Sequence, residues 1–110
     1  MDMQHSDHSG ICVAKPDKRI DFSSAEAFQQ ALQGLLTSSE RGLVVDAKEV
    51  EYVSSAGLRA FLLVARAAST AGKGFAVCAL QTAVKEVFEV SGFSKIITLT
   101  DDLKTALDGI

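Results

Sequence analysis

Histidine is confined to the first eight residues of this chain, at His5 and His8. The remaining residues therefore offer no imidazole to a Ser-His-Asp arrangement or to a cysteine nucleophile. Cysteine is scarce as well. Cys12 and Cys78 stand far apart and form no CxxC pair, so two reduced thiols are expected. Tryptophan is absent and Pro16 is the one proline. No stretch nears the ~18 apolar residues that a membrane helix needs. Neither a GxGxxG nor a GxxxxGKS/T loop occurs, so the usual phosphate cradles are missing. Basic charge is not in excess: the formal net charge is -3, which argues against a nucleic-acid partner. The first ten residues have no basic flank or apolar run, so no signal peptide is expected and the cytoplasm is the default.

What is present suits one compact domain. The 110 residues are 47% hydrophobic and 23% charged, enough for a core without staples. Residues 1–10 are polar and aperiodic and read as a flexible tail, with a single domain over 11–110. Asp2, His5, Asp7 and His8 hold metal-ligand chemistry in principle, but ordering a tail around an ion is costly; no metal is expected.

From Ile11 onward, short apolar runs alternate with helical spacing. Ile11–Ala14 reads as a strand, and Ile20 to Phe22 as a few extended residues. Ser23 with Glu26 is a capping-box pattern, so a helix should begin near Ser24, with Phe28, Leu32, Leu35 and Leu36 inward. Leu43–Val45, Phe75–Leu80 and Ile96–Leu99 read as buried strands. Further helices should begin near Ala56, Ala83 and Asp102. The second has Leu58, Phe61, Leu62 and Ala65 as core positions, and the third has Val84, Val87 and Phe88. Thr100 or Asp101 is the expected cap of the last. Alternation of this kind implies an α/β fold with a mostly parallel sheet and crossover helices.

The informative segment is Val53-Ser54-Ser55-Ala56-Gly57-Leu58-Arg59. It enters the second helix after a buried strand, on the sheet edge where α/β proteins usually bind ligands and partners. A serine there is first of all an N-cap. The same helix start, with its free N–H groups and positive dipole end, also tolerates a phosphate. Arg59, Leu63 and Arg66 fall on one narrow stripe of this helix. Leu63 is expected to be exposed between the two arginines, as part of a partner surface.

Tyr52 to Arg59 resembles the signature of STAS-domain anti-sigma factor antagonists. Arg19-Ile20-Asp21, Leu43-Val44-Val45-Asp46 and Val87-Phe88-Glu89-Val90-Ser91-Gly92-Phe93 support the resemblance. It implies a mixed, mostly parallel sheet of four or five strands with helices packed on one face. It also implies a bacterial phosphoprotein of a partner-switching system, not an enzyme and without cofactors. The unmodified form binds an anti-sigma factor that is a serine kinase of the histidine-kinase-like ATPase fold. Phosphorylation by that kinase inactivates it, and a metal-dependent serine phosphatase restores it. The family pattern Asp-Ser-Ser-Gly-Leu, modified on its first serine, aligns that serine with Ser55. Ser54 stands where the Asp would be and is the second choice, and Ala56 replaces the second serine. Asp21, Ser54, Ser55, Ala56, Gly57, Arg59, Leu63 and Arg66 are the expected partner-binding residues. Two other readings use the same edge: a STAS scaffold or transport-complex subunit that binds constitutively, with Ser55 only a cap, and an enzyme or small-ligand binder.

Overall fold

The computed structural model describes residues 3–110. Its elements run β1 (Gln4–His8), β2 (Ile11–Lys15), β3 (Arg19–Ile20), α1 (Ala25–Ser38), β4 (Gly42–Asp46), β5 (Tyr52–Val53), α2 (Ser55–Ala71), β6 (Gly74–Cys78), α3 (Thr82–Val90), a 3-10 turn (Phe93–Lys95), β7 (Thr98–Thr100) and α4 (Leu103–Asp108). The main sheet has five strands in the order β1-β2-β4-β6-β7, and β3 pairs with β5 in a separate two-stranded ribbon. β1 is antiparallel to β2, and every other pair is parallel. The mixed, mostly parallel α/β fold is thus as the sequence implied.

The continuous apolar runs of β2 and β4 are buried on both sides, as parallel strands covered by helices require. On one face, Ala14, Leu43, Val45 and Val77 pack with α1, α2 and α3. Phe28, Phe61 and Phe88, one from each helix, meet edge to face with ring centroids 5.2 Å apart in both pairs. α2 is therefore the central helix, held from both sides. Ile11, Val13, Val44, Ala76 and Cys78 point to the other face, where Ala106 of α4 covers them. The helices are accordingly not all on one face: alternation along β2, β4 and β6 creates a second apolar surface, and α4 closes it. The same alternation sets Cys12 in one cluster and Cys78 in the other, and both thiols are free. Burial above all, with the Asp46 and Asp102 carboxylates, pushes the Cys78 thiol up to about 11.

Five local expectations are corrected. Residues 4–8, read as tail, form β1 and pair residue by residue with β2. Ser9 and Gly10, both at positive φ, make the two-residue turn between them, the geometry that suits a tight hairpin. Ile96 and Ile97 lie outside β7. Their N–H groups donate to the Phe93 carbonyl at 3.0 and 2.8 Å, so the 3-10 turn takes the hydrogen bonds a ladder would need. Ile97 is still buried, but Ile96 and Val87 face solvent. The Ser23–Glu26 capping box does not form: Ser24 is the N-cap of α1 and makes no side-chain cap bond. α4 is capped by Asp102, whose Oδ1 accepts from Thr105 N at 2.8 Å, rather than by Thr100 or Asp101.

α2 ends where the Gly72 backbone turns left-handed, at φ 69, a conformation glycine enters without a Cβ penalty. The chain then places Lys73 beneath α1, where Nζ donates to the Leu36, Thr37 and Ser39 carbonyls at 3.0, 3.2 and 2.6 Å. This lysine satisfies orphan acceptors at the negative end of the α1 dipole and ties the two helices together.

Candidate functional site

β3 and β5 are each two residues long, yet they bring the starts of α1 and α2 together. Arg19 is in register with Tyr52 and Ile20 with Val53. Ser54 N then donates to the Ile20 carbonyl at 2.9 Å, which sets Asp21 alongside Ser54. Gly57 makes this approach possible. A Cβ at Gly57 would lie 2.9 Å from Ile20 Cγ2, from the Ile20 carbonyl oxygen and from Val53 Cγ1. Two of those neighbours are packed side chains and one is backbone, so no cheap shift would accommodate it.

The two serines of α2 have different jobs. Ser54 is the N-cap, extended at φ -77 and ψ 171, and its Oγ accepts from Gly57 N at 3.1 Å. Ser55 is the first helical residue and is exposed. Among the described residues its hydroxyl has no hydrogen-bond partner within the chain. Ala56 is half-buried, Gly57 and Leu58 are buried, and Arg59 is exposed. Farther along the same helix Arg66 is exposed, whereas Leu63 is half-buried rather than exposed. α1 and α3 flank α2 and narrow its open stripe. The inward face is likewise shifted from expectation: Leu58, Ala60, Phe61, Val64 and Ala68 are buried, while Leu62 and Ala65 are only partly so.

Asp21 forms the facing wall. Its Oδ1 accepts from the Ser23 hydroxyl at 2.7 Å, from Ser23 N at 3.1 Å and from Ser24 N at 3.2 Å. The Ser23 hydroxyl first, then the Ser24 groups, hold this carboxyl below its usual range. Arg19 Nε stands 3.8 Å from Asp21 Oδ2, and the Arg19 guanidinium stacks on the Tyr52 ring at 4.5 Å from its centroid. The sequence reading missed this stack. It also missed Phe22, which is 86% exposed beside Asp21. The sequence reads Phe22 only as the end of an extended stretch; the turn from Asp21 to Ser24 swings it outward. The site thus joins the exposed Ser55 at the start of α2 to a neighbouring turn that carries the Asp21 carboxylate, the Arg19–Tyr52 stack and the exposed Phe22 ring.

A cleft of about 400 Å³ between α3 and β7 includes Lys85, Glu86, Glu89 and Asp101 but not Ser55. His5 and His8 lie three apart on β1, so their side chains leave opposite faces of the strand. The described residues contain no group of three or more potential metal ligands, and Asp2 lies outside them. Among the described residues no helix is long and apolar enough to cross a membrane.

Comparison with known proteins gives a consistent set of matches. Residues 17–100 match the family model described as "Mlab, STAS domain". A Bordetella bronchiseptica protein named BtrV, described as an anti-sigma factor antagonist, is 33% identical over 97 residues, covering 88% of this chain and 84% of the relative. The anti-sigma-F factor antagonist RsfB of Mycobacterium tuberculosis is 27% identical over 105 residues, covering 96% and 85%. The crystal structure of an anti-sigma factor antagonist from Mycobacterium paratuberculosis superposes with a TM-score of 0.81 at 28% identity, covering 99% of this chain and 92% of the other.

Proposed function

We propose, from the premise that this chain belongs to the STAS-domain family of anti-sigma factor antagonists, that it is a protein-binding switch turned off by phosphorylation of Ser55. The unmodified chain docks on an anti-sigma factor of the histidine-kinase-like ATPase fold through the edge formed by Asp21, Ser54, Ser55, Ala56, Gly57 and Arg59. Leu63 and Arg66 extend that surface along α2. The partner is itself the serine kinase, and a metal-dependent serine phosphatase reverses the modification. The chain acts by binding, without catalysis or cofactor, in the cytoplasm, and contacts neither nucleic acid nor membrane.

One observation carries the choice of residue. The Ser54 hydroxyl is engaged as the cap of α2, whereas the neighbouring Ser55 hydroxyl is exposed and unengaged. Modifying Ser54 would remove a cap; modifying Ser55 leaves the helix intact. A phosphate at Ser55 adds about -1.5 to -2 charges to a surface that already holds the Asp21 carboxylate. A partner seated there would have to desolvate that charge or face it with its own cations. Folding is preserved because the start of a helix favours negative charge.

Incubation with the cognate kinase and Mg-ATP, followed by intact mass and fragment mapping, tests the reading. Wild type and Ser54→Ala should each gain one phosphate on Ser55, and Ser55→Ala should gain none. An unmodified wild-type chain that still binds the kinase would support the constitutive scaffold instead.

A further inference from the structure

We propose that Arg59 is the internal counter-ion of phosphorylated Ser55, so that modification withdraws a cation from the docking face while adding negative charge to it. The inference rests on the Ser55 reading above and concerns how that site is regulated. Ser55 and Arg59 are both exposed and four residues apart in α2, the spacing at which side chains on a helix meet. The order is also the favourable one, with the anion N-terminal to the cation. A guanidinium offers phosphate two parallel N–H donors, which a lysine ammonium cannot.

Arg59 has no competing obligation. α2 contains no Asp or Glu, and among the described residues Arg59 takes part in no ion pair or side-chain hydrogen bond. The arginine of the adjoining ribbon is engaged. Arg19 is held by Asp21 and the Tyr52 ring. Arg66 is also unpaired, but it lies seven residues beyond Arg59, about 10 Å farther along the axis, and cannot close on Ser55 in the same way. The unmodified protein thus presents two arginines to a partner, and the phosphorylated protein presents one.

The test uses protein carrying phosphoserine at position 55 introduced during translation, so it does not depend on any kinase. Phosphorus NMR follows the second ionisation of the phosphate in wild type, Arg59→Gln and Arg66→Gln at low and high salt. Asp21, on the neighbouring turn, is unchanged in all three proteins and cancels in the comparison. At low salt Arg59→Gln should raise this pKa by about 0.3 pH unit, Arg66→Gln should leave it unchanged, and molar salt should erase the difference. Equal titration in all three proteins, or equal shifts in the two variants, would overturn the pairing. Failure of a kinase to modify Ser55 would instead overturn the function proposed above and leave this titration untouched.

Discussion

α1 and α2 begin side by side, and each opens on a pair of serines, Ser23-Ser24 and Ser54-Ser55. At α1 the serines turn inward on their own loop. Both of their N–H groups and the Ser23 hydroxyl donate to Asp21 Oδ1. At α2 there is no acidic residue in the corresponding place, so Ser54 must provide the cap itself, and Ser55 is left with nothing to do inside the fold. Two helix starts of similar composition therefore diverge through one residue. Where a carboxylate gathers the donors, the hydroxyls are consumed; where a serine caps, its neighbour is released to the surface. Local satisfaction of hydrogen bonds decides which serine is available for chemistry.

The largest expected effect comes from forcing the two helix starts apart. Gly57→Ala puts a methyl group against Ile20 and Val53 and should cost about 1–3 kcal/mol, read as a lower denaturation midpoint. Partner binding should weaken along with it, because the edge that carries Ser55 no longer meets Asp21. Removing the α2 cap is next: Ser54→Ala should cost about 1 kcal/mol, and Ser55 should remain modifiable. At α1, Asp21→Ala should have a smaller effect, recognised by its pH signature. The folded Asp21 carboxyl is held low, chiefly by the Ser23 hydroxyl. Its contribution is therefore present above the unfolded value of about 3.9 and lost as pH falls through the folded value. Denaturation midpoints of wild type and Asp21→Ala should differ at neutral pH and converge in strong acid. The smallest effect belongs to Ser55→Ala, within about 0.5 kcal/mol, since no internal hydrogen bond is lost and alanine favours the helix. A larger loss there would mean that Ser55 is a structural residue and would break the contrast between the helix starts.

The contrast also explains what could be read beforehand. The helix start at Ser54-Ser55 was legible because its residues serve a local need, and the Gly57-Leu58 pair aligned it with a known signature. The parallel strands at Leu43–Val45 and Phe75–Cys78 were legible from uninterrupted apolar runs, but the run expected to reach Leu80 ends at Cys78, where Ala79 turns left-handed at φ 59. β1 was not, because all five of its residues are exposed and an edge strand of this kind carries no hydrophobic pattern; Ser9-Gly10 was the available turn signal. Ile96-Ile97 has strand composition, but the 3-10 turn claims its N–H groups. Phe22 and the Arg19–Tyr52 stack depend on a ribbon of two residue pairs, formed between segments more than thirty residues apart. No local pattern encodes such a meeting. Leu63 is half-buried, although its place between Arg59 and Arg66 reads as exposed.

Calorimetry of the authentic Ser55 phosphoprotein and the unmodified protein against the same anti-sigma kinase tests the central claim most directly. The unmodified protein should bind and the phosphoprotein should bind at least tenfold more weakly, a difference of about 1.4 kcal/mol or more, with circular dichroism unchanged between them. Equal affinity, with the phosphate verified on Ser55, would contradict the switch and leave a domain that binds its partner regardless of modification.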